Sequence, residues 1–193
     1  MSRAGFKQVY SMEGGINAWN GVVAAGLPEA GLSFFASARS PKEYIALAWL
    51  LEEGMKMFYR SVDERLNERG AVELFQELSI AEEHHQAALS DLHFRLSGKR
   101  IDPDFLRSAA PDLQAERYIE GGLRLEEAIL WAEGKQMADI LDMSITLEAN
   151  AYDRYLFMKQ EIKDARAKEV FNVLSNEEKH HLERLSELFD RLI

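Results

Sequence analysis

Two Glu-x-x-His pairs, Glu82 with His85 and Glu178 with His181, stand 96 residues apart in the chain. Residues three apart on a helix share a face, so each pair presents a carboxylate and an imidazole to the same point. That is the chemistry of metal ligation. The same offset carries Glu52 to Glu148, and each of these is followed seven residues later by a tyrosine, Tyr59 and Tyr155. It also maps Leu51 on Leu147, Glu73 on Glu169, Phe75 on Phe171, Leu78 on Leu174, Leu89 on Leu185 and Leu92 on Leu188. Agreement at so many positions reads as an internal duplication.

Each motif has neighbouring glutamates, and helical phase chooses between them. Steps of three and four give Phe75, Leu78, Glu82, His85, Leu89 and Leu92 in one half, and Phe171, Leu174, Glu178, His181, Leu185 and Leu188 in the other. Both pairs therefore sit in an apolar stripe. The competing phase through Gln76, Ser79, Glu83, Gln86 and Ser90 assigns Glu83 to a solvated face. Glu83 and Glu177 are expected to be dispensable for metal binding. The stripes Ile45, Ala48, Glu52, Met55, Tyr59 and Leu141, Ile145, Glu148, Tyr152, Tyr155 bring the two remaining carboxylates inward. His84, His93 and His180 fall off the core phase and read as solvated or as neighbours of the ligands. Tyr59 and Tyr155 read as core residues with a bonded hydroxyl.

Four inward carboxylates without compensation would cost several kcal/mol each, which a marginally stable domain cannot tolerate. Two divalent cations balance four negative charges. Oxygen-rich ligation with one imidazole per ion suits iron or manganese, with zinc the remaining alternative. A Glu from each of two helices plus Glu-x-x-His from each of two others is the ligand set of di-iron carboxylate bundles.

The elements that must position these groups are helices. Ser40-Pro41-Lys42-Glu43 supplies an N-cap, a first-turn proline and a capping-box glutamate, so a long helix is predicted from Pro41 to Leu66, with Gly70 as its stop. A second follows from Ala71 to Leu96, ended by Ser97-Gly98. Residues 98–122, with Pro103, Pro111, Gly121 and Gly122, read as a crossover rather than a packed element. A short helix is predicted over Leu123–Glu133, a long one over Lys135–Ile162, and the last, after a break at Asp164, over Ala165–Leu192. Two hairpins joined by a long crossover make an all-α four-helix bundle of ferritin-like connectivity, occupying residues 35–193. Residues 1–34 form a head and linker: a short strand, Lys7 to Tyr10, a turn at Gly14-Gly15 and a short helix from Ile16.

The chain of 193 residues has no cysteine, which excludes disulfides, thiolate chemistry and cysteine-held iron, and fits a reducing cytoplasm. A net charge of −10 argues against a nucleic-acid partner and suits a protein that handles cations. The N-terminus has no apolar leader run, and no stretch reaches the length of a membrane span.

The residues Leu51-Glu52-x6-Tyr59, Glu82-x-x-His85, Leu147-Glu148-x6-Tyr155 and Leu174-Ser175-x-Glu177-Glu178-Lys179-x-His181 resemble the rubrerythrin family of the ferritin-like superfamily, over about residues 41–192. The resemblance implies two iron ions in a non-haem site that reacts with peroxide or dioxygen. Glu52, Glu82, His85, Glu148, Glu178 and His181 would be its ligands, with Glu52 and Glu148 terminal, Glu82 and Glu178 bridging, and one imidazole on each ion. Rubrerythrins proper also carry a cysteine-held iron centre that feeds electrons to the pair, and this chain has no cysteine. Many have a further carboxylate three residues after the glutamate that matches Glu148, where this chain has Ala151. The expected activity is peroxide or dioxygen reduction with an external electron donor. The alternatives are iron binding or ferroxidase action without peroxidase turnover, and a structural bundle fastened by its metals. The head, with Gly5-Phe6, Val9-Tyr10, Met12-Glu13-Gly14-Gly15-Ile16, Ala18-Trp19 and Gly26-Leu27-Pro28, resembles the last strand and helix of a rhodanese domain. Its apolar residues Phe6, Val9, Tyr10, Ile16, Trp19, Val22 and Val23 are too few to hold it folded alone, so docking on the bundle and pairing with a second chain, a homodimer, are its two routes to burial.

Overall fold

The computed structural model describes residues 40–66, 69–113 and 116–192; the strand and helix expected in the head lie outside them. Helix α1, Pro41–Asp63, begins where its cap demands: the Ser40 backbone is extended and its hydroxyl accepts from the Glu43 amide at 3.3 Å. It stops short of the expected Leu66 because the chain tightens into three-residue bonds, Arg65 to Val62 and Leu66 to Asp63. Helix α2 spans Arg69–Ser97. Helix α3, Pro103–Ala109, is capped by Asp102, whose carboxylate accepts from the Phe105 amide at 2.7 Å. Helix α4 is Leu125–Ala132 and α5 is Met137–Glu161. Helix α6, Ala165–Leu192, matches its predicted bounds, and the expected break at Asp164 is its cap, accepting from the amides of Arg166 at 3.0 Å and Ala167 at 2.9 Å.

Helices α1 and α2 form one hairpin and α5 and α6 the other, with α2 meeting α6 between them. The described part of the chain is thus the all-α bundle of two hairpins and a long crossover. Among the described residues no helix is long and apolar enough to cross a membrane.

The crossover is not the unpacked connection expected from its prolines and glycines. Helix α3 and the turn after it bury Leu106, Ala110 and Leu113, and α3 packs against α1 and reaches α2 at His93. His93, expected off the core, is consequently buried, with its ring 4.0 Å from that of Phe105 and its Nε2 3.1 Å from the Ser97 hydroxyl. Further on, Ile119 bonds Leu123 and Leu125 bonds Arg117, closing a small antiparallel loop around Gly121 and Gly122, both at positive φ. Gly54 of α1 is its seat. A Cβ at Gly54 would lie 2.0 Å from the Tyr118 carbonyl oxygen, so only glycine lets the crossover backbone press against the helix. The loop drives Ile119 and Glu120 into the bundle, where both are buried.

The core is divided in two. One apolar cluster contains Ile45, Leu51, Leu89, Leu92, Tyr155, Phe171 and Leu174; the other contains Met55, Phe58, Leu74, Leu78, Leu141, Leu147 and Leu185. On every long helix the sequence steps from one cluster to the other across a carboxylate: Glu52 on α1, Glu82 on α2, Glu148 on α5 and Glu178 on α6. A charged layer therefore lies between two hydrophobic ones.

Candidate metal centre

All six residues singled out by spacing meet in that layer. Glu52, Glu82, His85, Glu148 and Glu178 are at most 1 % exposed, and His181 is nearly as enclosed. His85 Nδ1 lies 3.2 Å from oxygens of Glu52, Glu82 and Glu178. His181 Nδ1 lies 3.3 Å from Glu148 and 3.1 Å from Glu178. The two imidazoles stack, with ring centroids 5.6 Å apart. Two groups emerge whose donor atoms fall within 4.8 Å of one another: Glu52, Glu82, His85 and Glu178, and Glu148, Glu178 and His181. Glu178 belongs to both, as a bridging carboxylate would.

The tyrosines lock the outer oxygens crosswise. Tyr59 of the first hairpin donates to Glu148 Oε1 of the second, and Tyr155 of the second donates to Glu52 Oε1 of the first. Each leaves the other oxygen of its carboxylate facing a histidine, as read for core residues with a bonded hydroxyl. Burial and the adjacent carboxylates push both phenols well above their ordinary range, so they remain proton donors.

Three further residues complete the layer. Glu177 was expected to be dispensable, and its side chain is half exposed, yet its carboxylate comes within 3.1 Å of His85 Nε2. His85 thus meets the candidate ligand oxygens through Nδ1 and a surface carboxylate through Nε2. Arg154 and Glu120 were not anticipated. Arg154, 1 % exposed, reaches Glu52 Oε1 at 2.5 Å and Glu120 Oε1 at 2.7 Å through one nitrogen, and its guanidinium lies 4.0 Å from the Tyr155 ring centroid. The α5 stripe that carries it runs Leu147, Ala151, Arg154, Met158, beside the predicted stripe in which Ile145 and Tyr152 are only half-buried. An arginine flanked by small and apolar positions at helical spacing was the available signal; Glu120 left none, having neither periodicity nor a repeat counterpart.

The electrostatics are those of buried carboxylates packed against two imidazoles and a guanidinium. Burial and the neighbouring Glu52 charge push Glu82 well above the carboxylate range. Burial, reinforced by Glu178, raises Glu148 to about 7, and burial raises Glu120 to about 8 despite Arg154. Burial also works against Glu52, but Arg154 and the hydrogen bonds of Glu82 and His85 outweigh it and hold that group down at about 2. Glu178 is held low against burial by the His85 and His181 rings. Both histidines resist their own burial and are raised, His181 to about 10, by the carboxylates they face. In the metal-free chain the imidazolium rings are the compensating cations.

A metal pair fits these residues. Glu82 Oε2 and Glu178 Oε1 are buried without an aligned hydrogen-bond partner, and buried acceptors in that state ordinarily have a ligand. Arg154 and Glu120 add one charge of each sign and leave four carboxylates for two divalent ions. Oxygen donors with one nitrogen on each side are the set that iron and manganese favour.

The Rubrerythrin family model matches residues 139–192, which is α6 and nearly all of α5, and so contains Glu148, Glu178 and His181. No curated protein and no solved structure gives a significant match to the chain.

Proposed function

We propose that the chain is a rubrerythrin-type di-iron carboxylate protein that reduces peroxide or dioxygen. The observation that carries this reading is the buried layer in which four carboxylates and two histidines converge as two groups sharing Glu178. The family match on the second hairpin supports it, and the 96-residue repeat extends the same ligand pattern to the first.

An iron pair, when bound, would supply the two electrons the oxidant needs, one from each ferrous ion. In this reading these residues would hold the pair, with Glu52 and Glu148 as terminal carboxylates, Glu82 and Glu178 as candidate bridges, and His85 and His181 as one imidazole for each ion. Tyr59 and Tyr155 orient the terminal carboxylates and keep their protons. The two apolar clusters exclude bulk water from above and below the layer. Converting one hydrogen peroxide to two waters takes two electrons and two protons, and the electrons come from an external donor because no cysteine is present to hold a second iron centre.

Steady-state consumption of hydrogen peroxide by iron-loaded chain with a chemical reductant tests the proposal. Many turnovers per chain support it. A single stoichiometric oxidation of bound iron would replace it with iron binding or ferroxidase action.

A further inference from the structure

The duplication that builds the layer is broken by one cation. Arg154 of the second hairpin corresponds at the 96-residue offset to Phe58 of the first, and both are fully buried. The paired tyrosines are equivalent, each on the outer oxygen of the opposite terminal carboxylate. Arg154 is not matched: it adds a guanidinium to Glu52 Oε1 at 2.5 Å, whereas Glu148 Oε1 receives the Tyr59 hydroxyl.

Resting on the dimetal reading, we propose that Arg154 is a positioning residue that makes the two ion sites unequal, so that the Glu148–His181 side fills first and the Glu52–His85 side second and more weakly. An ion on the Glu52 side shares that carboxylate with a fixed positive charge. Each terminal carboxylate has one oxygen taken by a tyrosine and the other facing a histidine, Glu52 Oε2 at 3.2 Å from His85 Nδ1 and Glu148 Oε2 at 3.3 Å from His181 Nδ1, so the guanidinium is what differs. On the other side Glu148 meets the Tyr59 hydroxyl and the His181 ring, with no guanidinium on it. Glu178 belongs to both groups and Glu82 to the Glu52–His85 group, so in the proposed order the guanidinium outweighs one extra carboxylate on that side. Glu120 prevents Arg154 from swinging away: the crossover loop seated on Gly54 holds it 2.7 Å from the same guanidinium nitrogen.

Anaerobic calorimetric titration of the metal-free full chain with ferrous iron is the test. We expect two steps of one ion each, with dissociation constants at least about tenfold apart. His181→Ala should abolish the tight step and His85→Ala the weak one. Arg154→Gln combined with Glu120→Gln, which removes the cation without stranding its partner, should bring the steps within about threefold, and Arg154→Lys should keep them apart. One unresolved step in the unmodified chain, a reversed histidine assignment, or a separation that survives in the double variant would overturn the inference. Should the double variant not fold, the unmodified chain and the two histidine variants still decide the order. An unmodified chain that takes up no iron refutes the dimetal reading instead.

Discussion

His85 meets carboxylates through both ring nitrogens, and the two contacts have different consequences. Nδ1 faces the buried oxygens of Glu52, Glu82 and Glu178, while Nε2 is backed by Glu177. A carboxylate behind a ligating histidine fixes its ring and raises its basicity, and losing such a partner typically costs tenfold to a hundredfold in affinity. Glu177→Ala is therefore expected to weaken metal binding by about that factor without abolishing it. Glu83→Ala, which removes only an exposed partner of Arg60, should leave affinity unchanged. Competition with a chromophoric chelator measures both, and equal affinities for the two variants would contradict this role. Helical phase alone distinguished Glu82 from Glu83 and Glu178 from Glu177, because periodicity reports which face a Cα occupies. It could not show that a side chain on the boundary reaches around to a buried ring.

At the scale of elements, the four long helices were legible because caps and apolar spacing agree: Ser40 and Asp164 fix two starts, and the 96-residue register fixes the relative phase of the hairpins. The crossover was not legible. Its prolines and glycines report turns, whereas its packing depends on Gly54, forty residues and more away, where the absent side chain makes room for the Tyr118 carbonyl. Arg154 was hidden for a related reason: a charge predicts exposure unless its partners are known, and one of them, Glu120, comes from that crossover. Gly54→Ala should accordingly destabilise the chain by about 3 kcal/mol or more, since a Cβ there collides with backbone that cannot give way cheaply. Urea denaturation measures it. A loss below about 0.5 kcal/mol, as expected of an exposed helical position, would show that the crossover is not seated as described.

The whole molecule should report its charged layer through pH. Glu148 and Glu120 titrate near 7 and 8 against an ordinary value of 4.5, and His181 near 10 against 6.5. A group whose value is raised on folding stabilises fully below its ordinary value and loses that contribution as pH climbs through the folded one. The two glutamates therefore lose theirs between 4.5 and about 8, and the histidine between 6.5 and about 10. Glu52, held at about 2, acts oppositely: its contribution is present above 4.5 and lost as pH falls towards 2. The metal-free chain should thus melt highest near about pH 5 and lose stability steadily towards alkaline pH. Metal-loaded protein should show the reverse trend on the acid side, because protons displace ions from the same oxygens and nitrogens. Melting curves at a series of pH values check this, and parallel profiles for the two forms would contradict it.

The central claim is that the layer holds a pair of metal ions, and elemental analysis tests it most directly. Full-length chain loaded anaerobically with ferrous iron and desalted is predicted to retain about two ions, falling towards none in Glu82→Ala combined with Glu178→Ala, since each Glu-x-x-His pair then loses its carboxylate. Undiminished iron in that double variant, or none in the unmodified chain, would contradict the account.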